Sequence, residues 1–266
     1  MLHAKNCVLD LPTGTVDYIR FGNGPKPLVM IPGVGDGLKT VKGMALPFAF
    51  LYRSLAKDFT VYVFSRRRIL APGMTTRDMA EDLNSALDAL GLSSVALVGV
   101  SQGGMIAQWL AIDHPDKVEK LVLTVTLSRP NATVQDVIAG WIRMSDRDDY
   151  KGIMLDTAER SYSEKRLKQS RQEYRLLGSV GKPKSFERFQ IQAASCVTHD
   201  TYDLLDQIGC PTLVIGGKDD RIVTGQASVE MAERIPDCEL TMYDGFGHGL
   251  YEEAPDFLKR VSDFCR

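Results

Sequence analysis

The chain has 266 residues, 44% hydrophobic and 25% charged, with a formal net charge of −2. That length suffices for one large domain with an interior of its own, and so ordinary a composition excludes a disordered or low-complexity chain. Without a basic surplus nucleic acid is not an expected partner, and no apolar run approaches the ~20 residues that span a bilayer, so no membrane association is expected either.

The N-terminal stretch MLHAKNCVLDLPTG has no long apolar segment and no small-residue cleavage site, so no secretory signal is read there. Cys7, Cys196, Cys210, Cys238 and Cys265 are scattered, with no C-x-x-C pair and no metal-ligand spacing. Reduced thiols and a cytoplasmic location are the expectation.

In chain order, NCVLDLPTGTVDYIRFGNG reads as two strands turning at Pro12 to Gly14 and leaving at Gly22 to Gly24, an antiparallel edge pair. Short apolar runs bounded by turn residues follow: PLVMIPG at 27–33, FTVYVFS at 59–65, SVALVGV at 94–100, VEKLVLTVT at 118–126, PTLVIGG at 211–217 and CELTMYDG at 238–245. They predict buried parallel strands. Helical patterns lie between them. Residues 75–92 put Met79, Leu83, Leu87 and Leu90 on one face, with Thr75 or Thr76 as N-cap and Gly91 as the stop. Residues 103–118, with Met105, Trp109 and Ile112 before Pro115 ends the helix, 228–236 and 252–264 complete the set. Alternating strand and helix predicts an α/β fold: a mostly parallel central sheet covered by helices on both faces.

From Ser128 to about Asp200 no strand candidate occurs. TVQDVIAGWIRMS at 133–145 carries Val134, Val137, Trp141 and Met144 on one stripe, and RSYSEKRLKQSRQEYRLLG and SFERFQIQAASC follow. An inserted helical lobe is expected over 129–200, dividing a core made of 1–128 and 201–266.

VALVGVSQGG, residues 95–104, sets one serine between glycines where a strand gives way to a helix. A serine on so tight a turn is held in a strained conformation, and glycines two residues to either side are needed where a Cβ would collide. The hydroxyl of Ser101 is then presented at the carboxyl edge of the sheet, where open α/β folds bind ligands. A neutral hydroxyl needs an adjacent base, itself oriented by a third group. Of the four histidines, His248 lies in the glycine-rich loop YDGFGHGLYEEAP after the last strand, at the same edge. The loop VIGGKDDRIV after the preceding strand offers Asp219 and Asp220 as the orienting carboxylate. Serine, aspartate and histidine thus follow one another on three strand ends.

With GVSQGG, GKDDRIV and GHGLYEEAPDFL the sequence resembles the α/β-hydrolase fold superfamily over nearly its whole length. The last motif is similar to that family's G-H-x-x-x-x-E-x-P ending. The resemblance selects Asp220 as the acid, makes Ser101 the nucleophile and His248 the base, and identifies the insert with a helical cap. It assigns MIPGVGDG to the oxyanion loop, so that backbone N–H groups of Val34 and Gln102 would form the oxyanion hole. Two departures stand out. Pro32-Gly33 replaces the usual His-Gly, leaving the anchoring of that loop open, and FSRRRILAPG stands where many members carry Asp-x-x-Gly-x-Gly.

Within the cap, Trp141, Met144 and Phe189 are candidates to line the substrate pocket, against a simpler reading in which they pack the cap. GVGDGLKT lacks the third glycine of a dinucleotide fingerprint, and no Walker lysine pattern occurs. Arg66, Arg67 and Arg68, with Arg160, Lys165, Arg166, Lys168, Arg171 and Arg175 of the insert, read as solvated surface, since Glu164 and Glu173 are interleaved among the latter. No metal and no cofactor is expected. The expected activity is a serine hydrolase cleaving a small ester or related acyl substrate. Carbon–carbon bond hydrolysis, lactone opening or acyl transfer on the same triad, and a low-turnover ligand-binding protein, are the alternatives. A homo-oligomer is compatible with all of them.

Overall fold

The computed structural model describes residues 2–168 and 181–266. The part of the expected insert helix that falls within 169–180, with Arg171, Glu173 and Arg175, lies outside the described residues.

Eight strands form one sheet: β1 (Lys5–Leu11), β2 (Gly14–Phe21), β3 (Lys26–Ile31), β4 (Phe59–Arg67), β5 (Val95–Val100), β6 (Val118–Thr124), β7 (Thr212–Gly217) and β8 (Cys238–Tyr243). Their order across the sheet is β1-β2-β4-β3-β5-β6-β7-β8. β1 and β2 pair antiparallel in a hairpin, and β2 runs antiparallel to β4. Every other pairing is parallel. This is the α/β architecture the alternation predicts, with the hairpin at one edge. Strands covered on both faces need apolar residues in unbroken runs, and Val95–Val98, Leu121–Leu123 and Leu213–Ile215 are buried throughout.

Helices α1 (Ala45–Leu51), α2 (Thr76–Ala89), α3 (Gln102–Asp113), α7 (Gly225–Arg234), α8 (Leu250–Glu253) and α9 (Phe257–Cys265) surround the sheet. The Thr75 hydroxyl accepts the Asp78 N–H, and the Asp78 carboxylate accepts the Thr75 N–H, so α2 opens on a capping box. Gly91, at φ 66°, stops it as expected. α3 ends at Asp113, as the position of Pro115 predicts: proline cannot continue the helical hydrogen bonding and starts a single 3-10 turn instead. The helix expected over 252–264 is two, α8 and α9, separated at Ala254-Pro255. Two apolar clusters flank the sheet. One joins α2, α3 and α7 to residues such as Val29 and Leu97, and the other joins α1 and α9 to Leu28 and Val98.

Between β6 and β7 the described residues include helices α4 (Ala132–Asp146), α5 (Tyr150–Ser161) and α6 (Glu187–Val197). They share a third apolar cluster in which Val137, Trp141, Ile153 and Phe189 meet Met105, Ile222 and Val223 from the core. Among the described residues no helix is long and apolar enough to cross a membrane.

Candidate active site

β5 runs straight into α3 through Ser101, whose φ of 54° and ψ of −122° lie in a region L-residues rarely occupy. The neighbours make the strain unavoidable. A Cβ at Gly103 would lie 2.0 Å from the Ile31 carbonyl oxygen, and one at Gly99 would lie 2.5 Å from the Gly103 oxygen. The turn is also pinned: the Ser101 N–H donates to the Thr124 carbonyl at 2.9 Å, and the Thr126 hydroxyl donates to the Ser101 carbonyl at 2.8 Å.

Asp220 and His248 are set by the next two strand ends. After β7, Asp220 Oδ1 accepts the N–H groups of Ile222 and Val223 at 2.8 and 3.0 Å, while Oδ2 accepts His248 Nδ1–H at 2.8 Å. Because the carboxylate is an acceptor, the proton of the neutral imidazole sits on Nδ1 and Nε2 is left with a lone pair. Both side chains are buried. Burial alone would push the Asp220 carboxyl up. The histidine's charge and hydrogen bond, with the two backbone amides, outweigh it and hold the group below the usual carboxylate range. The two loops are clamped together by Lys218 N–H to the Tyr243 carbonyl and Asp219 N–H to the Phe246 carbonyl. The histidine loop is tied to the insert in turn, since Gly249 N–H donates to the Ser161 carbonyl and Glu253 accepts from the N–H and hydroxyl of Ser163. Asp219 is exposed, so of the two aspartates it is Asp220 that meets the histidine.

Ser101 and His248 line one cavity of about 340 Å³. Among the described residues no hydrogen bond joins the Ser101 hydroxyl to the imidazole, a common state of nucleophile–base pairs before substrate tightens the contact. Val34 lines the same cavity. It is the first residue of a 3-10 turn (Val34–Gly37), as Gln102 is of α3, so neither backbone N–H has an acceptor within its own helix. Two amides without an intrahelical acceptor thus stand near the serine, one on the wall of its cavity and one directly after it in the chain.

Of the three pocket candidates, Trp141 lines the cavity, its indole N–H donating to Asp156 at 2.8 Å. Met144 and Phe189 do not line it; they pack in the third cluster, where Phe189 sits against Gly37. Met44 and Phe48 at the α1 end, Thr157 and Ser161 on α5, and Tyr251 on α8 complete much of the wall. Sequence patterns do not single these out, because they come from elements brought together only by the tertiary fold.

The reading of Arg66 as solvated surface is wrong. Its side chain is almost fully buried, and burial draws the guanidinium down to about 10 against the opposing charge of Asp36. β4 continues two residues beyond the expected strand end. An extra residue between the pairs Tyr18–Phe64 and Val16–Arg67 breaks the alternation, and such bulges redirect side chains.

A glycine-flanked serine on a strand-to-helix turn and a buried Asp–His pair, at the carboxyl edge of a mostly parallel sheet, are features of the α/β-hydrolase architecture. Residues 26–255 match the family described as alpha/beta hydrolase fold, and the chain belongs to that family. It is similar to a protein of Caulobacter sp. (strain K31) assigned as the carbamate hydrolase RutD, 26% identical over 92% of this chain and 94% of the relative. A 2-hydroxy-6-oxononadienedioate/2-hydroxy-6-oxononatrienedioate hydrolase of Pseudomonas sp. is 25% identical over 94% of this chain and 92% of its own. In fold the chain is similar to MGS-M2, an alpha/beta hydrolase enzyme from a Medee basin deep-sea metagenome library, with a TM-score of 0.84 at 19% identity, covering 97% of this chain and 96% of that one.

Proposed function

We propose that the protein is a serine hydrolase acting on a small ester or related acyl substrate, with residues 129–200 serving as a cap over the core. Ser101 Oγ attacks the acyl carbon while His248 Nε2 takes its proton. The alkoxide that develops is held by the N–H groups of Val34 and Gln102. His248 returns the proton to the leaving alcohol, and the same base then activates a water that frees the acid from Ser101. Asp220 keeps the imidazole in the tautomer this requires. The observation that carries the reading is the buried 2.8 Å bond from His248 Nδ1 to Asp220, beside a cavity that Ser101 shares. General-base action of this kind contributes about 10² to 10⁴-fold, and one oxyanion donor about 10² to 10³-fold.

The name of the Pseudomonas relative supports a second reading, in which the same groups cleave a carbon–carbon bond of a diketone acid. Lactone opening and acyl transfer would use them too. A fluorophosphonate probe followed by a panel of p-nitrophenyl esters tests the first reading. The expected result is covalent labelling of Ser101, absent in Ser101→Ala and His248→Ala, with turnover of short esters. Labelling that survives in Ser101→Ala would refute the nucleophile, and labelling without turnover of any acyl substrate would favour a ligand-binding protein.

A further inference from the structure

The two departures from the family pattern, Pro32-Gly33 in the oxyanion loop and the arginine run after β4, meet in space. Arg66 Nη2 donates to the Pro32 carbonyl at 2.5 Å and to Gln102 Oε1 at 2.9 Å. One guanidinium thus bridges the residue two before Val34 and the side chain of Gln102, the two positions that carry the oxyanion donors.

The other half of the Gln102 carboxamide faces the insert. Its Nε2 donates to the Gln192 carbonyl at 2.6 Å and to Ser195 Oγ at 3.0 Å, both on α6. Asp36, two residues past Val34, closes the network: its Oδ2 accepts the Arg66 N–H at 3.1 Å and the Arg188 guanidinium, and Arg188 also donates to the Asp36 carbonyl. Arg188 reaches the carbonyls of Arg66 and Arg67 as well, each at 3.0 Å. Two guanidiniums thus lie against one carboxylate, an excess of one positive charge behind the amides that would hold an anion. Apolar side chains would fill such a space at lower cost than buried charges, so packing does not account for the cluster.

We infer that Arg66 is a positioning residue for the proposed oxyanion hole, fixing Val34 and Gln102 relative to each other and linking both to the insert helix α6. This rests on the serine-hydrolase reading. A guanidinium suits the task because its planarity fixes the directions of the two Nη2 N–H bonds, here toward Pro32 and Gln102, where an ammonium's donors rotate freely.

The test compares wild type, Arg66→Met and Gln102→Met on p-nitrophenyl butyrate, with phenylboronic acid as an inhibitor that forms a tetrahedral adduct at the serine. Gln102→Met keeps the backbone donor and removes only the side-chain bridge, and it places no unpaired charge in the interior, so it carries the test should Arg66→Met fail to fold. In each folded variant kcat should fall by about 10 to 100-fold with KM within about threefold, since the loss concerns the transition state alone. The boronic acid Ki should rise by a factor similar to the fall in kcat. A variant that only loosened the fold would lower the melting temperature without separating kcat from KM. Unchanged kcat in folded Gln102→Met or Arg66→Met overturns the inference while leaving the hydrolase reading intact. A wild type that neither turns over esters nor reacts with a fluorophosphonate overturns both.

Discussion

Asp219 and Asp220 are adjacent in the chain and opposite in surroundings. The Asp219 side chain is exposed, and its backbone N–H is engaged by the Phe246 carbonyl. Asp220 is buried, with both oxygens occupied by the amides of Ile222 and Val223 and by His248. An amide in place of Asp220 keeps the shape but can present an N–H to the imidazole, which favours the tautomer with its proton on the wrong nitrogen. Asp220→Asn should therefore lower kcat by about 10⁴-fold, the loss measured for the equivalent change in the serine protease triad. Asp219→Asn should stay within about threefold, as expected of a group that touches neither base nor substrate. Steady-state kinetics on one ester separates the two, and equal losses would mean that the acid is misassigned.

Glycines divide in a similar way among the elements. The Gly103 Cα faces β3, and an added methyl would lie 2.0 Å from the Ile31 oxygen, a backbone atom that cannot step aside. Gly103→Ala should cost about 3 kcal/mol or more, as forced overpacking does. Gly140 sits inside α4 with only the tip of Arg143, at 3.9 Å, near its would-be Cβ. There an alanine removes the entropic penalty of glycine in a helix, and Gly140→Ala should gain about 0.5 to 1 kcal/mol. Urea unfolding of the two variants should move in opposite directions. The elements that the sequence announces are those whose local signals and tertiary roles agree: the hairpin at Pro12 to Gly14, the apolar strands, and α2 with its capping box. α1 escapes detection because ALPFAFL has no polar face, and Leu46 and Phe50 remain exposed although apolar. The catalytic candidates could be placed because each stands directly after a strand in a loop with its own chemistry. The cavity wall could not, since α1, α5 and α8 converge only in three dimensions, and neither could the burial of Arg66, whose partners Pro32, Asp36 and Gln102 are some thirty residues or more away in the chain.

The seam between core and insert holds a titratable group with no part in the proposed chemistry. His199 stands where the chain leaves the insert, buried, with Nδ1 2.9 Å from the Thr76 hydroxyl of α2 and its ring edge-on to Trp109 of α3. Thr201, two residues on, donates to Gln108 of α3 at 2.6 Å, so the same corner joins both core helices to the end of the insert. Burial draws the His199 imidazole down to about 3, even though a hydrogen bond with the Leu127 backbone favours the charged form. In the unfolded chain a histidine takes up its proton near 6.5. Above that pH both states are neutral at this site and its contribution to stability is complete. As pH falls from about 6.5 towards 3 the unfolded state binds a proton that the folded state refuses, so stability is lost, at up to about 1.4 kcal/mol per pH unit. Urea midpoints measured at intervals between pH 7 and 4.5 should fall accordingly, in a range where most carboxylates remain ionised. His199→Gln should be less stable at pH 7, because the packing and the bond with Thr76 are disturbed, yet its midpoint should change less with pH over the same interval. A variant that follows the wild-type slope would place the acid sensitivity elsewhere in the molecule.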